Sequence, residues 1–116
     1  MLFHTASETE YKSLGDGLFL KPLIYGKEIL AIQFKSTAGS VHSMHNHPNE
    51  QLGFIISGRV KFTVDGESFE VGAGDSYCIP GDAMHQGEVL EDVVGIETYA
   101  PPRDDYKALF AGIQED

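Results

Sequence analysis

Cysteine is nearly absent: Cys78 is the only one in 116 residues. An intrachain disulfide is therefore excluded, and nothing ties the chain to an oxidising compartment. A cytoplasmic location is expected. Basic residues are also few. Eight Lys and Arg stand against 18 Asp and Glu, a formal charge of −10. Such a balance argues against nucleic acid or an anionic membrane surface as a partner. Arginine occurs only as Arg59 and Arg103, so these two would matter to any anionic small-molecule ligand. No apolar run approaches the roughly 20 residues of a membrane span. The start, Met1-Leu2-Phe3-His4, lacks the basic residues and long apolar stretch of a signal peptide. Repeats, low-complexity segments and linkers are missing as well. The expectation is a single domain over residues 1–116, with a polar segment 1–9 that frays.

What is present is a succession of short strands broken by turn residues. Leu18–Leu20 and Leu23–Tyr25 flank Lys21-Pro22, and Ile29–Phe34 alternates. Gln51–Ser57 is a further strand, broken by Gly58. Val60, Phe62 and Val64 alternate with polar residues, and Asp65-Gly66 is a two-residue hairpin signal. Ser76–Ile79 and Asp92–Ala100 complete the strands. Pro102–Ala111 reads as one helix closed by Gly112, with Tyr106, Leu109 and Phe110 on its apolar stripe. Many short strands with Gly and Pro turns indicate an all-β sandwich or barrel. In Gln51–Ser57 both faces are apolar, since Leu52, Phe54 and Ile56 oppose Gln51, Gly53 and Ile55. Both faces should then be covered, by the N-terminal segment or by a second subunit, and a homodimer is favoured.

The densest chemistry lies in Gly39–Gly58, GSVHSMHNHPNEQLGFIISG. Residues two apart in a strand share a face, so His45, His47 and, if the phase continues through Pro48-Asn49, Gln51 project to one side. Imidazole is the commonest metal ligand among side chains, and a carboxamide oxygen adds a neutral contact. Glu50 and His42 fall on the wrong parity and read as solvated, as does His4 in the tail. Cys78 reads as a small buried hydrophobe, and Met44 and Met84 as packing. Tyr77 shares parity with Ile79 and could line a pocket. Glu97 stands out because it sits mid-strand between apolar neighbours, where an unpaired carboxylate is costly. If it faces inward, Gly95 beside it leaves room for a ligand.

The chain from Gly39 to His85 resembles the cupin superfamily. Gly39, His45, His47 and Gly58 fall at the first motif's positions, with Gln51 where Glu is usual. Gly74, Pro80 and His85 match the second motif, with Asp82 and Val89 replacing its Gly and Asn. The resemblance implies a single-domain jelly-roll β-barrel with a short C-terminal helix. It also implies one divalent transition metal held by His45, His47, Gln51 and His85, with Ni, Zn, Mn, Fe or Co all compatible. Four neutral ligands would leave the metal's charge uncompensated, which favours an anionic ligand.

The segment Leu90–Tyr106 and the run HNHPNEQLGFIISG further resemble the KdgF family of pectin and alginate uronate metabolism. That family opens 4,5-unsaturated uronates to linear keto-deoxyuronates. By position Glu97 takes the family's Asp, Tyr99 its Phe and Arg103 its Arg, and these three are the implied catalytic residues. The longer acid and the added hydroxyl are departures that bear on the substrate. Arg103 has a second reading, as a simple ion pair with Asp104 or Asp105. A cupin dioxygenase and a non-catalytic small-molecule-binding cupin are the alternative functions.

Overall fold

The computed structural model describes residues 2–114, and nearly all of its regular structure is antiparallel strand. The elements are β1 (Lys12–Gly15), β2 (Leu18–Tyr25), β3 (Leu30–Ser36), β4 (Val41–His45), β5 (Glu50–Val64), β6 (Glu67–Gly72), β7 (Ser76–Ile79), β8 (His85–Ala100) and α1 (Asp104–Lys107). The hydrogen-bonded order is β1-β2-β3-β8-β5-β6, with β4 added to β8 and β7 added to β5. No described helix is long and apolar enough to cross a membrane.

Two long strands turn this set into a jelly-roll barrel. β8 pairs with β4 between His85 and Glu88, and with β3 from Val93 to Tyr99. β5 pairs with β7 through Gln51–Phe54 and with β6 through Arg59–Val64. Each therefore runs through both layers of the barrel, and register shifts between Ile55 and Val60 bend β5 where it crosses. A glycine at 58 predicts a break in this strand. The residue is instead a bend within it, with φ +88° and no room for a side chain: a Cβ would lie 2.1 Å from the Asp92 carbonyl oxygen. In the same way β8 begins at His85 rather than Asp92. β2 runs unbroken through Pro22, beside a register shift that accommodates a residue lacking an N–H.

Alternation puts Leu20, Ile32, Phe34, Ile55, Val60, Val89 and Val93 into one core between the layers. On β5, Gln51, Gly53 and Ile55 are buried as expected. Leu52, Phe54 and Ile56 are 50%, 47% and 47% exposed, so the N-terminal segment does not cover that outer face. Beside them on β7, Cys78 is exposed, not buried, because it pairs with outward-facing Leu52. Met44 and Met84 are likewise exposed rather than packed, each facing opposite to the histidine it precedes.

The C-terminal helix is shorter than expected. Pro101 and Pro102 keep the chain extended through Arg103, so α1 starts at Asp104, and a 3-10 turn follows over Ala108–Phe110. Gly112, with φ +81°, closes that turn. Phe110 is fully buried and meets Tyr25 edge-on at 4.9 Å, which fastens the segment to the end of β2. Near the N-terminus, Ala6–Glu8 forms a 3-10 turn. His4 is packed rather than solvated: its side chain is 4% exposed and bonds Glu8 and Gln114.

Candidate metal centre and its acid

β4, the turn after it and the start of β8 bring His45, His47 and His85 together. His45 pairs with His85 across the β4–β8 ladder. One nitrogen of each ring lies within 4.8 Å of those of the others. Each ring also gives its other nitrogen to a backbone carbonyl two residues away. His45 Nδ1 meets Ser43 O at 2.7 Å, His47 Nδ1 meets Asn49 O at 3.0 Å and His85 Nδ1 meets Ala83 O at 2.8 Å. A carbonyl only accepts, so all three rings carry their proton on Nδ1. All three Nε2 lone pairs are left free to converge.

Gln51 completes this pole. Its side-chain amide donates to Glu97 Oε2 at 2.5 Å, which leaves Oε1 3.2 Å from His47 Nε2. Both of those atoms are acceptors, with no proton between them. Acceptors gathered in this way need a cation, and three imidazoles with a carboxamide oxygen suit a divalent transition metal. The donor set therefore fits a metal ion, and the hydrogen bonds to the Nδ1 atoms are the outer contacts that orient such ligands. Burial lowers the pKa of His47 and His85, and the positive charge of Arg103 adds to this, so both rings are held in the neutral form a metal requires.

Glu97 faces into the barrel, 9% exposed. It is not orphaned. Tyr77 Oη donates to Oε2 at 2.5 Å, Tyr99 Oη donates to Oε1 at 2.9 Å, and Gln51 supplies the third bond. Burial raises its pKa, while the three donors and Arg103 act in the opposite sense. The room that Gly95 frees is filled by the Phe34 ring, 2.6 Å from where a Cβ would be, so it does not serve a ligand. Gly53 makes the corresponding space for Tyr77, whose ring carbon lies 2.0 Å from a would-be Cβ. This glycine is what admits Tyr77 to the acid.

Arg103 lines the same cavity as His45, Gln51, His85, Glu97 and Tyr99. It also makes the ion pair anticipated for it: Nε and Nη2 reach the two Asp105 oxygens at 3.1 and 2.7 Å. Its plane lies over Tyr106 at 3.8 Å and near Tyr99 at 5.1 Å. Asp105 and the rings thus aim the guanidinium, and among the described residues Nη1 has no hydrogen-bond partner. Arg59 is elsewhere, exposed between Glu70 and Glu91. Glu50 is exposed, as its parity required.

Three residues at the cavity carry more than the sequence reading gave them. Tyr106 is on its wall as well as on the helix stripe. Tyr77 is a direct partner of the acid. His42 lines the cavity instead of facing solvent, because a register shift between His42 and His45 breaks the parity on which it was assigned outward.

Comparison with known proteins agrees with this architecture. The chain is 27% identical over 101 residues to the pectin degradation protein KdgF of Dickeya dadantii, covering 85% of this chain and 92% of that one. A solved KdgF from Halomonas superposes with a TM-score of 0.83 at 27% identity, over 89% of this chain and 96% of that chain. An RmlC-like cupin from Shewanella frigidimarina gives 0.85 at 26% identity, over 91% and 96%. Residues 34–94, which hold the histidine cluster, all of β5 and the first part of β8, match the family model described as a cupin domain. The chain belongs to the cupin family.

Proposed function

We propose that the chain is a metal-dependent enzyme that opens the ring of a 4,5-unsaturated uronate to a linear keto-deoxyuronate. The observation that carries this reading is the cavity shared by His45, His85 and Gln51 of the histidine pole, which His47 completes, with the Glu97 carboxylate and the Arg103 guanidinium. Similarity to two KdgF proteins, one described as a pectin degradation protein, supports the choice of substrate. A divalent ion at the pole, with Ni, Zn, Mn, Fe and Co all suited to the donors, would supply a Lewis acid for negative charge developing on oxygen.

The protein's own groups account for binding and proton transfer. Arg103 holds the substrate carboxylate through the N–H groups that Asp105 leaves free. Glu97 takes the proton of the anomeric hydroxyl. As C1 becomes a carbonyl, its bond to the ring oxygen breaks, and the electron pair stays on that oxygen as an enolate. Glu97 then returns the proton to C4, and C5 becomes a ketone. Every atom of the substrate is kept, and nothing is oxidised or reduced. Tyr99 and Tyr77 hold the carboxylate in place between the two transfers.

The test is loss of the ring-enol absorbance when metal-loaded protein meets unsaturated galacturonate or mannuronate. Turnover above the spontaneous rate is expected, reduced about 10²- to 10⁴-fold by Glu97→Gln. Rates equal to the uncatalysed ones would overturn the proposal. Tight ligand binding without turnover would assign the chain to the non-catalytic binding cupins instead.

The same reading takes the working form as a homodimer. The exposed outward positions Leu52 and Phe54 share a sheet face with Ser76, Cys78, Ile96 and Thr98, none of them charged. The chain as a whole carries −10. Two copies repel each other over most of their surface, and this charge-free sheet face is where a second copy can approach.

A further inference from the structure

His42 has no part in the metal pole or in the proton path, yet it lines the cavity. Its protonation pattern is the reverse of the three converging histidines. His42 Nε2 lies 3.1 Å from Ser36 Oγ, and that hydroxyl gives its one proton to the Gly17 carbonyl at 2.9 Å. Ser36 therefore accepts from His42, and the His42 proton sits on Nε2. Nδ1 is left as a bare acceptor. No described protein group bonds it, and it is not a sealed atom, because no buried polar side-chain atom lacks a partner.

Position gives this acceptor a meaning. Along the β3–β8 ladder, Ser36 pairs with Val93 while Leu30 pairs with Tyr99. Ser36 therefore marks one end of this ladder and Tyr99 the other. Glu97, Tyr99 and Arg103 occupy one end; His42 hangs from Ser36 at the other, among Leu18, Phe62, Val89 and Val93. It is the polar group of an otherwise apolar wall. We infer that His42 is a ligand-binding residue whose Nδ1 accepts a hydrogen bond from a hydroxyl of the bound molecule, at the end remote from the carboxylate held by Arg103. The ligand it selects is a polyhydroxylated acid long enough to span both. The choice of a sugar acid rests on the proposed function; the bare acceptor does not.

The test uses D-galacturonate and the zinc-loaded full-length chain. In ¹⁵N-resolved spectra, His42 should show the Nε2–H tautomer, and its Nδ1 resonance should move as galacturonate is added. Two variants separate binding from folding. Asn at 42 keeps an acceptor near the Nδ1 position and gives up the Ser36 contact; Gln keeps the Ser36 contact and gives up the acceptor. His42→Gln should weaken galacturonate binding about tenfold, the loss of one hydrogen bond, and His42→Asn by no more than about threefold. A merely structural histidine gives the opposite order. An Nδ1–H tautomer, an unmoved Nδ1, or equal binding by both variants would overturn the inference. Absence of uronate turnover with the Nδ1 shift intact would sink ring opening and leave His42 standing.

Discussion

Gln51 gives its amide N–H to Glu97 at 2.5 Å and so turns its carbonyl oxygen toward His47, 3.2 Å from Nε2. One side chain thereby fixes both halves of the site. It hands an acceptor to the metal pole and a donor to the acid. The amide also explains why Glu is not used at this position: a second carboxylate would press directly on Glu97.

Gln51→Glu tests that relationship. Two touching carboxylates share a proton, so the pair's upper pKa in the folded protein is raised. A raised folded pKa gives stability that is present below the unfolded value and lost as pH rises through the folded one. In EDTA, the variant should be about 1–3 kcal/mol less stable than the parent near pH 8, the cost of an unmet buried polar group. The deficit should shrink toward pH 5. Urea unfolding at both values measures it, and an equal deficit at the two would refute the account.

The histidine pole predicts a different pH dependence for the metal-free protein. Burial lowers His47 and His85 from the ordinary value near 6.5. Below 6.5 the unfolded chain binds the protons that these rings resist, so stability is full above 6.5 and lost as pH falls through the lowered values. Saturating metal should add about 2.7 kcal/mol at a hundredfold excess over its Kd. Metal analysis of His45→Ala and His85→Ala should find the site empty, and retained stoichiometric metal would refute the ligand set.

Much of this was legible in the sequence, and the misses share a cause. Strand alternation correctly put Gln51, Gly53 and Ile55 on one face of β5 and Leu52, Phe54 and Ile56 on the other, because that pairing is regular there. Alternation failed for His42, where the register slips by a bulge that no residue type announces. It could not foresee Tyr77 over Gly53, since that contact joins strands through space. Gly95 does leave space, as a residue without a side chain must, but Phe34 from β3 fills it. Residue types marked where backbones need room, and only the packing shows what takes it.

The uncovered face of β5 makes a quantitative statement about assembly. Phe54→Lys puts a charge in the middle of a patch that has none, on a side chain 47% exposed and so not required by the core. The parent should sediment as a dimer and the variant as a monomer with an unchanged far-ultraviolet spectrum. A monomeric parent would end the dimer proposal.

Tyr77 offers the sharpest reading of how the acid is tuned. Its hydroxyl is one of three donors that oppose the effect of burial on Glu97. Tyr77→Phe keeps the ring over Gly53 and removes only that donor. The carboxylate form loses a partner, so the Glu97 pKa should rise further. If Glu97 must be ionised to accept the anomeric proton, the acid limb of kcat/KM should then move to higher pH, with activity recovering once the pH exceeds the new value. Loss of the same hydrogen bond should cost about 1 kcal/mol of stability at neutral pH. A purely structural tyrosine would show the stability loss alone. An unshifted acid limb would therefore separate Tyr77 from the chemistry, even in a variant that folds less well.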